Sequence, residues 1–246
     1  MSTRRNAFLR FMEWLGGHEA VVLCAMAAIA AGVWIFVVIA GDVAEGDTLS
    51  FDRRILLSMR RPGDLSPKGS KSFQESARDV TALGGVVVLT LITAATAGFL
   101  ALDGKRRMGA FLCASILTGM IASTLLKDLF HRPRPDIVPH EVYVSSRSFP
   151  SGHSMMSAIT YLTLGALLAR SHQRKRLKVY FLLLAVLLTL SVGVSRVYLG
   201  VHWPTDVLAG WTAGAVWALL CLLIARRLQR RRTLEREEEH NLNGME

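Results

Sequence analysis

Cysteine is scarce in this chain. Cys24, Cys113 and Cys221 are the only three, and each falls inside an apolar stretch. That placement excludes a disulfide framework and a thiolate metal centre, leaving three small packing groups. Internal repeats and low-complexity tracts are also missing, which sets aside solenoids and compositionally disordered scaffolds. Most telling is where charge is lacking. Six windows, at about 20–40, 83–102, 108–126, 153–170, 178–195 and 205–225, hold almost none. Each is long enough to cross a hydrocarbon core about 30 Å thick.

What is present fits those gaps. Apolar residues make up 51% of the 246, and mean hydropathy is +0.35, values that favour a membrane protein. A net charge of +10 is compatible with nucleic-acid binding, but the lysines and arginines stand in blocks just outside the windows. Arg4, Arg5 and Arg10, "GKRR" at 104–107, "RSHQRKRLK" at 170–178 and "RRLQRRR" at 226–232 form these blocks. With six spans and an internal N-terminus, all four face the cytoplasm, as the positive-inside rule requires. The 41–82 connection carries seven basic residues on the predicted outer side, balanced by seven acidic ones. Nucleic acid is therefore not an expected partner. The first window follows "MSTRR" as a leader would, but it is long for a leader core and lacks a small-x-small cleavage site, so a retained span is expected.

The expected architecture is all-α, an integral membrane bundle of six transmembrane helices. It divides into a cytoplasmic N-terminus (1–19), a six-span domain (20–226) and a charged cytoplasmic tail (227–246). Within 41–82, Phe51, Ile55 and Met59 share one helical face, as do Phe73, Ala77 and Val80, and "PGDLSPKG" separates the two pieces. Both read as short helices in the headgroup region. The tail turns from basic to "EREEEHNLNGME" and reads as a solvated helix end.

Span parity places three polar clusters on one side. In the first, Lys127 closes the third span and "RPRP" follows at 132–135, with Arg134 stiffened by Pro133 and Pro135. Basic anchors belong on the other side, so this arginine asks for a different partner. A salt bridge to Asp128 or Asp136 is the competing structural reading. In the second, Pro150, Ser151, Gly152 and His153 open the fourth span. Unpaired first-turn amides and the helix dipole favour an anion there, above all phosphate. In the third, Arg196 precedes His202 by six residues, and Asp206 follows it by four. With Pro204 in the first helical position, the Asp206 carboxylate reaches back to the imidazole and leaves the other ring nitrogen free to attack. The expectation is that these stretches converge on one pocket. It holds three cations, helix-end amides at Ser151 and Gly152, and two histidines. Phosphoryl transfer needs little else. No carboxylate cluster suited to Mg²⁺ accompanies them, so neither metal nor cofactor is expected.

Lys127-x6-Arg134-Pro135, then Pro150-Ser151-Gly152-His153, then Ser195-Arg196-x5-His202-x3-Asp206 resembles the pattern of the type 2 phosphatidic acid phosphatases, which are related to the vanadium-dependent haloperoxidases. The resemblance spans about residues 83–225, and no motif position departs. It implies that His202 is a nucleophile forming a phosphohistidine, that Asp206 orients it, and that His153 protonates the leaving oxygen. Lys127, Arg134, Ser151, Gly152 and Arg196 would bind the phosphate oxygens. It further implies a metal-independent lipid phosphatase on the outer face of a bacterial-type plasma membrane. Phosphatidate, phosphatidylglycerophosphate and undecaprenyl diphosphate are candidate substrates, and membrane lipids are the surrounding partners. Two alternatives stand beside it. One is a phosphotransferase passing the group to a lipid or sugar hydroxyl. The other is a non-catalytic anion- or lipid-binding membrane protein, for which Arg134 would matter while His202 and Asp206 would not. Oligomeric state is not read from the sequence.

Overall fold

The computed structural model describes residues 18–139 and 147–243, with side chains over 20–139 and 147–228. Arg4, Arg5 and Arg10, residues 140–146 of the 136–149 connection, and the tail side chains beyond 228 lie outside the described residues. Among those described, eight helices follow one another: α1 (His18–Glu45), α2 (Leu49–Ser58), α3 (Lys71–Ala82), α4 (Val86–Leu102), α5 (Arg106–Leu129), α6 (Gly152–Ser171), α7 (Lys175–Tyr198) and α8 (Pro204–Asn243). Every apolar window lies on a helix, apart from residues 83–85 at the break before α4. Trp34, Val87, Leu91 and Phe99 each leave more than half of their surface open, which suits hydrocarbon as the surrounding solvent.

Four segments, Ala20–Glu45, Arg106–Leu129, Lys175–Tyr198 and Pro204–Leu228, are long and apolar enough to cross a membrane, and the pair α3–α4, bent by 51°, makes up to five. The sixth expected span, α6, falls outside that set for a physical reason. It is the central helix, packed against α7 and α8 above all and also against α5 and α4. Its Ser154, Ser157 and Thr160 are completely buried. A helix walled in by protein does not need an apolar surface all round.

Close contact around α6 depends on missing side chains. On α8, Gly210 and Gly214 lie one turn apart and face it. A Cβ at Gly210 would stand 2.7 Å from the Ser151 carbonyl oxygen, and one at Gly214 would stand 2.5 Å from that of Met155. Small residues at this spacing let membrane helices pack backbone to backbone.

The helices predicted within 41–82 form as α2 and α3, but they are not surface ornaments. Asp52 and Leu56 of α2 are fully buried, and Thr81 of α3 is nearly so. Ser70 starts α3 by accepting a hydrogen bond from the Phe73 amide, the usual N-cap arrangement. These two helices close the end of the bundle where α5 stops and α6 and α8 begin.

Gly214→Ala should cost about 1–3 kcal/mol of stability through overpacking against a backbone that cannot yield. It would show as a lower thermal midpoint in detergent. Gly98→Ala, where an added Cβ meets nothing within 4 Å, should leave the midpoint in place. Equal midpoints for both variants contradict the packing described.

Candidate active site

Two helix ends carry the third motif into position. The α7 helix finishes with Gly200 in the left-handed region at φ 76°. The Gly200 amide donates to the Val197 carbonyl (3.0 Å) and the Val201 amide to that of Arg196 (3.2 Å). This is a Schellman closure, and glycine is the residue that fits its turn. It reverses the chain within a few residues of Arg196 and delivers His202. Pro204 then takes the first position of α8, and Asp206 reaches back to accept the Trp203 amide at 2.9 Å. An acidic residue returning to the cap amide fixes this helix start.

Asp206 is wholly buried and has four donors. Oδ1 accepts from Arg132 Nη1 at 2.6 Å. Oδ2 takes the Trp203 amide, the Ser148 hydroxyl and, at 3.4 Å, faces His202 Nδ1. On the far side of the ring, Nε2 lies 3.1 Å from Arg134 Nη1. A guanidinium only donates, so Nε2 carries the lone pair and the ring proton belongs on Nδ1, toward the carboxylate. Burial, followed by the charges of Arg134, Arg196, Lys127 and His153, holds His202 well below its ordinary 6.5. The imidazole is therefore neutral. One expectation needs correcting here: Nε2 is not free, because Arg134, also bonded to the Val201 carbonyl, rests against it. Attack by this nitrogen requires that contact to give way.

The second motif joins the same end. Ser151 caps α6, its hydroxyl accepting from the Ser154 amide (3.5 Å) and hydroxyl (2.9 Å). Its own amide, expected to face an anion, instead donates to the Asp206 carbonyl oxygen at 2.9 Å. That bond ties the start of α6 to the start of α8, so the amides left for an anion begin at Gly152. Directly over Gly152 lies Lys127, whose Cε would be 3.2 Å from an added Cβ and whose Nζ donates to the Arg147 carbonyl at 2.9 Å. The next residue, His153, is half-buried against the α3–α4 joint, where a Cβ at Gly84 would meet its carbonyl oxygen at 3.3 Å. Arg196 is buried. Nη1 donates to Thr81 Oγ1 at 3.1 Å, while Nε has no hydrogen-bond acceptor among the described residues. A buried, unsatisfied guanidinium N–H suits an anionic oxygen.

All three motifs thus meet at one end of the bundle, as the sequence requires. Several participants escaped sequence reasoning. Arg132 shares its "RP" context with Arg134, and nothing local tells them apart. The structure does: Arg132 bridges Asp206 and Asp52, each at 2.6 Å. The competing salt bridge to Asp128 goes instead to Arg147, at 3.8 Å between exposed side chains. Ser148 is buried on the Asp206 carboxylate, and Asp52, Thr81 and Thr205 come from positions without any motif signal.

An all-helical, multi-pass membrane protein with basic side chains and two histidines gathered where several helices end is the class this geometry defines. The comparisons place it more closely. The PAP2 superfamily profile matches residues 109–230. Decaprenylphosphoryl-5-phosphoribose phosphatase of Mycobacterium tuberculosis is 31% identical over 159 residues, 63% of this chain and 77% of that protein. Phosphatidylglycerophosphatase B of Bacillus subtilis is 42% identical over 99 residues, 39% of this chain and 48% of that protein, so the matched region spans about half of that relative. The crystal structure of a transmembrane PAP2-type phosphatidylglycerolphosphate phosphatase from Bacillus subtilis superposes with a TM-score of 0.71 at 27% identity, covering 81% of this chain and 96% of that one. The chain belongs to the PAP2 superfamily.

With selective ¹⁵N labelling, His202 should appear neutral and protonated on Nδ1 at about pH 6. The folded ring refuses a proton that the unfolded ring accepts near 6.5, so stability should fall as pH drops through that value. An imidazolium signal at about pH 6 contradicts the assignment.

Proposed function

We propose that this protein is an integral membrane lipid phosphatase that hydrolyses a phosphomonoester or diphosphate of a lipid through a phosphohistidine on His202. The observation that carries the reading is the His202 ring, set with Nδ1 toward the Asp206 carboxylate and Nε2 beside Arg134. It is held by Asp206 on one side and surrounded by the charges of Arg134, Arg196 and Lys127. A ring kept neutral among cations is poised to attack a bound anion rather than merely to attract it.

In the first step Nε2 of His202 attacks phosphorus as the P–O bond to the lipid breaks, and His153 gives its proton to the leaving oxygen. Asp206 stabilises the positive charge that develops on the ring. Lys127, Arg134, Arg196, the Ser151 hydroxyl and the Gly152 amide hold the non-bridging oxygens, whose charge grows at the transition state. Arg134 moves from the ring nitrogen to the anion it admits. In the second step water attacks phosphorus, His153 accepts its proton, the P–N bond breaks, and phosphate leaves. No metal enters either step.

Both relatives and the solved structure carry names that state action on lipid-linked phosphates, which supports that substrate class. We assign six spans, counting α4 and α6, with both termini cytoplasmic. The domain limits are 1–19, 20–226 and 227–246, and the site opens on the outer face of a plasma membrane. The basic blocks at 104–107 and 170–178 support this orientation.

Purified protein in detergent with EDTA should release phosphate from phosphatidate, phosphatidylglycerophosphate or a prenyl diphosphate. His202→Ala should abolish release, and Arg134→Ala or Arg196→Ala should each lower the rate about 10²–10³-fold. Undiminished release by His202→Ala sinks the mechanism, and loss of activity in EDTA sinks its metal independence.

A further inference from the structure

Opposite the active site, at the other end of the bundle, lies a second concavity. It is a cavity of about 570 Å³ between the α4–α5 turn, the end of α6 and the α8 stretch near 225–228. Cations rim it. Lys105, Arg106 and Arg107 come from the turn and Arg170 from α6, with Arg226 near enough for its charge to act at Arg170. Asp103 stands beside them and pairs with Lys105 at 2.6 Å. Below the cations the lining turns apolar, with Met108, Phe111, Leu167 and Leu228. Leu102 and Phe99 beside it are mostly exposed.

Clustered basic residues outside a bilayer are expected from topology alone. They need not surround a cavity, and they need not have an apolar floor beneath them. We propose that this cavity binds one anionic phospholipid of the leaflet opposite the active site. Its phosphate would lie among Arg106, Arg107 and Arg170, with an acyl chain against Phe111 and Leu167. Charge complementarity selects an anionic headgroup over a zwitterionic one, because each basic residue near a headgroup adds attraction that a neutral lipid returns only in part. The apolar floor selects a lipid over free phosphate. Bound there, the lipid would clamp α5, α6 and α8 at the end remote from the chemistry.

Native mass spectrometry of the purified protein with phosphatidylglycerol or phosphatidylcholine tests this. Wild type should retain one phosphatidylglycerol at least about tenfold better than phosphatidylcholine, and inorganic phosphate should not displace it. His202→Ala should retain it equally, which separates this site from the catalytic one. The combined Arg106→Gln, Arg107→Gln and Arg170→Gln variant should lose the preference. Leu167→Trp, which fills the floor and keeps the cations, should lose the lipid too and serves if the triple variant does not fold. Equal retention of the two lipids by wild type, displacement by phosphate, or an undiminished preference in the variants overturns the proposal.

A second observation stands independently. Asp52, completely buried on α2, accepts from Arg132 Nη2 (2.6 Å), the Thr205 hydroxyl (2.7 Å) and the Thr205 amide (2.9 Å). The other guanidinium nitrogen of Arg132 holds Asp206. The matched family region begins at residue 109, so Asp52 lies outside it. Building on the phosphatase reading, we infer that Asp52 is a positioning residue that shares the charge of Arg132 and leaves more of the Asp206 charge for His202. Replacing it with Asn removes a negative charge, so the ring becomes harder to protonate.

Asp52→Asn should lower kcat about tenfold with KM little changed, and should move the acid limb of the rate profile to lower pH. Asp52→Glu, which keeps the charge, should restore the position of that limb and stands in if the Asn variant does not fold. A merely structural role would lower the amount of folded protein and leave the limb in place. An active wild type whose Asp52 variants keep both kcat and the limb overturns this assignment alone. An inactive wild type overturns the phosphatase reading itself.

Discussion

Everything at the functional end of this bundle is arranged around one buried carboxylate. An ionised Asp with no access to water is costly unless donors replace its hydration. Asp206 receives Arg132, Ser148, the Trp203 amide and the Nδ1 side of His202, while its carbonyl accepts the Ser151 amide. These donors come from three stretches of chain, at 132, 148–151 and 202–203. Satisfying this single group therefore ties together the start of α6, the start of α8, Arg132, Ser148 and, through Arg132, the α2 helix. The geometry of this site follows from the demand to solvate one charge with protein.

The cations follow a complementary logic. Lys127, Arg134 and Arg196 lie near enough for their charges to act on one another and on His202, and the Arg196 Nε has no acceptor among the described residues. Repulsion among them is tolerated where an anion is to be bound. The same field, after burial, lowers the proton affinity of His202, so on the proposed reading one charge distribution both attracts a phosphate and keeps the imidazole available to attack it. Apolar residues stay exposed along α1, α4 and α7, a surface suited to hydrocarbon.

Much of this was legible in the chain. Hydropathy windows located the long apolar helices, four to five of which meet the length and composition of a span, because a bilayer imposes a length that sequence must meet. The three motifs stood out because proline, glycine and charge beside hydrocarbon are costly without a purpose. The convergence of Lys127 over Gly152, and of Ser151 on Asp206, agrees with that reading. What stayed hidden had no local signature. Arg132 and Arg134 lie in identical dipeptides, and only the fold decides that one braces Asp206 while the other faces the ring. Asp52 is one of seven acidic residues in a connection with as many basic ones, and its burial depends on α2 folding back over the bundle. The Ser151 amide was misassigned because a helix start predicts free donors, whereas tertiary contact can claim one of them. The α6 helix, polar for a span, reads correctly only once its neighbours are seen.

The central claim is that Nε2 of His202 becomes bonded to phosphorus. Mixing the enzyme with phosphatidylglycerophosphate ³²P-labelled in its terminal phosphate, quenching in alkali and mapping the labelled peptide measures this most directly. The account predicts a histidine-linked, acid-labile label on the peptide carrying residue 202, absent when His202 is replaced by Ala. Label on another residue, or release of phosphate with no labelled protein at any time, contradicts it.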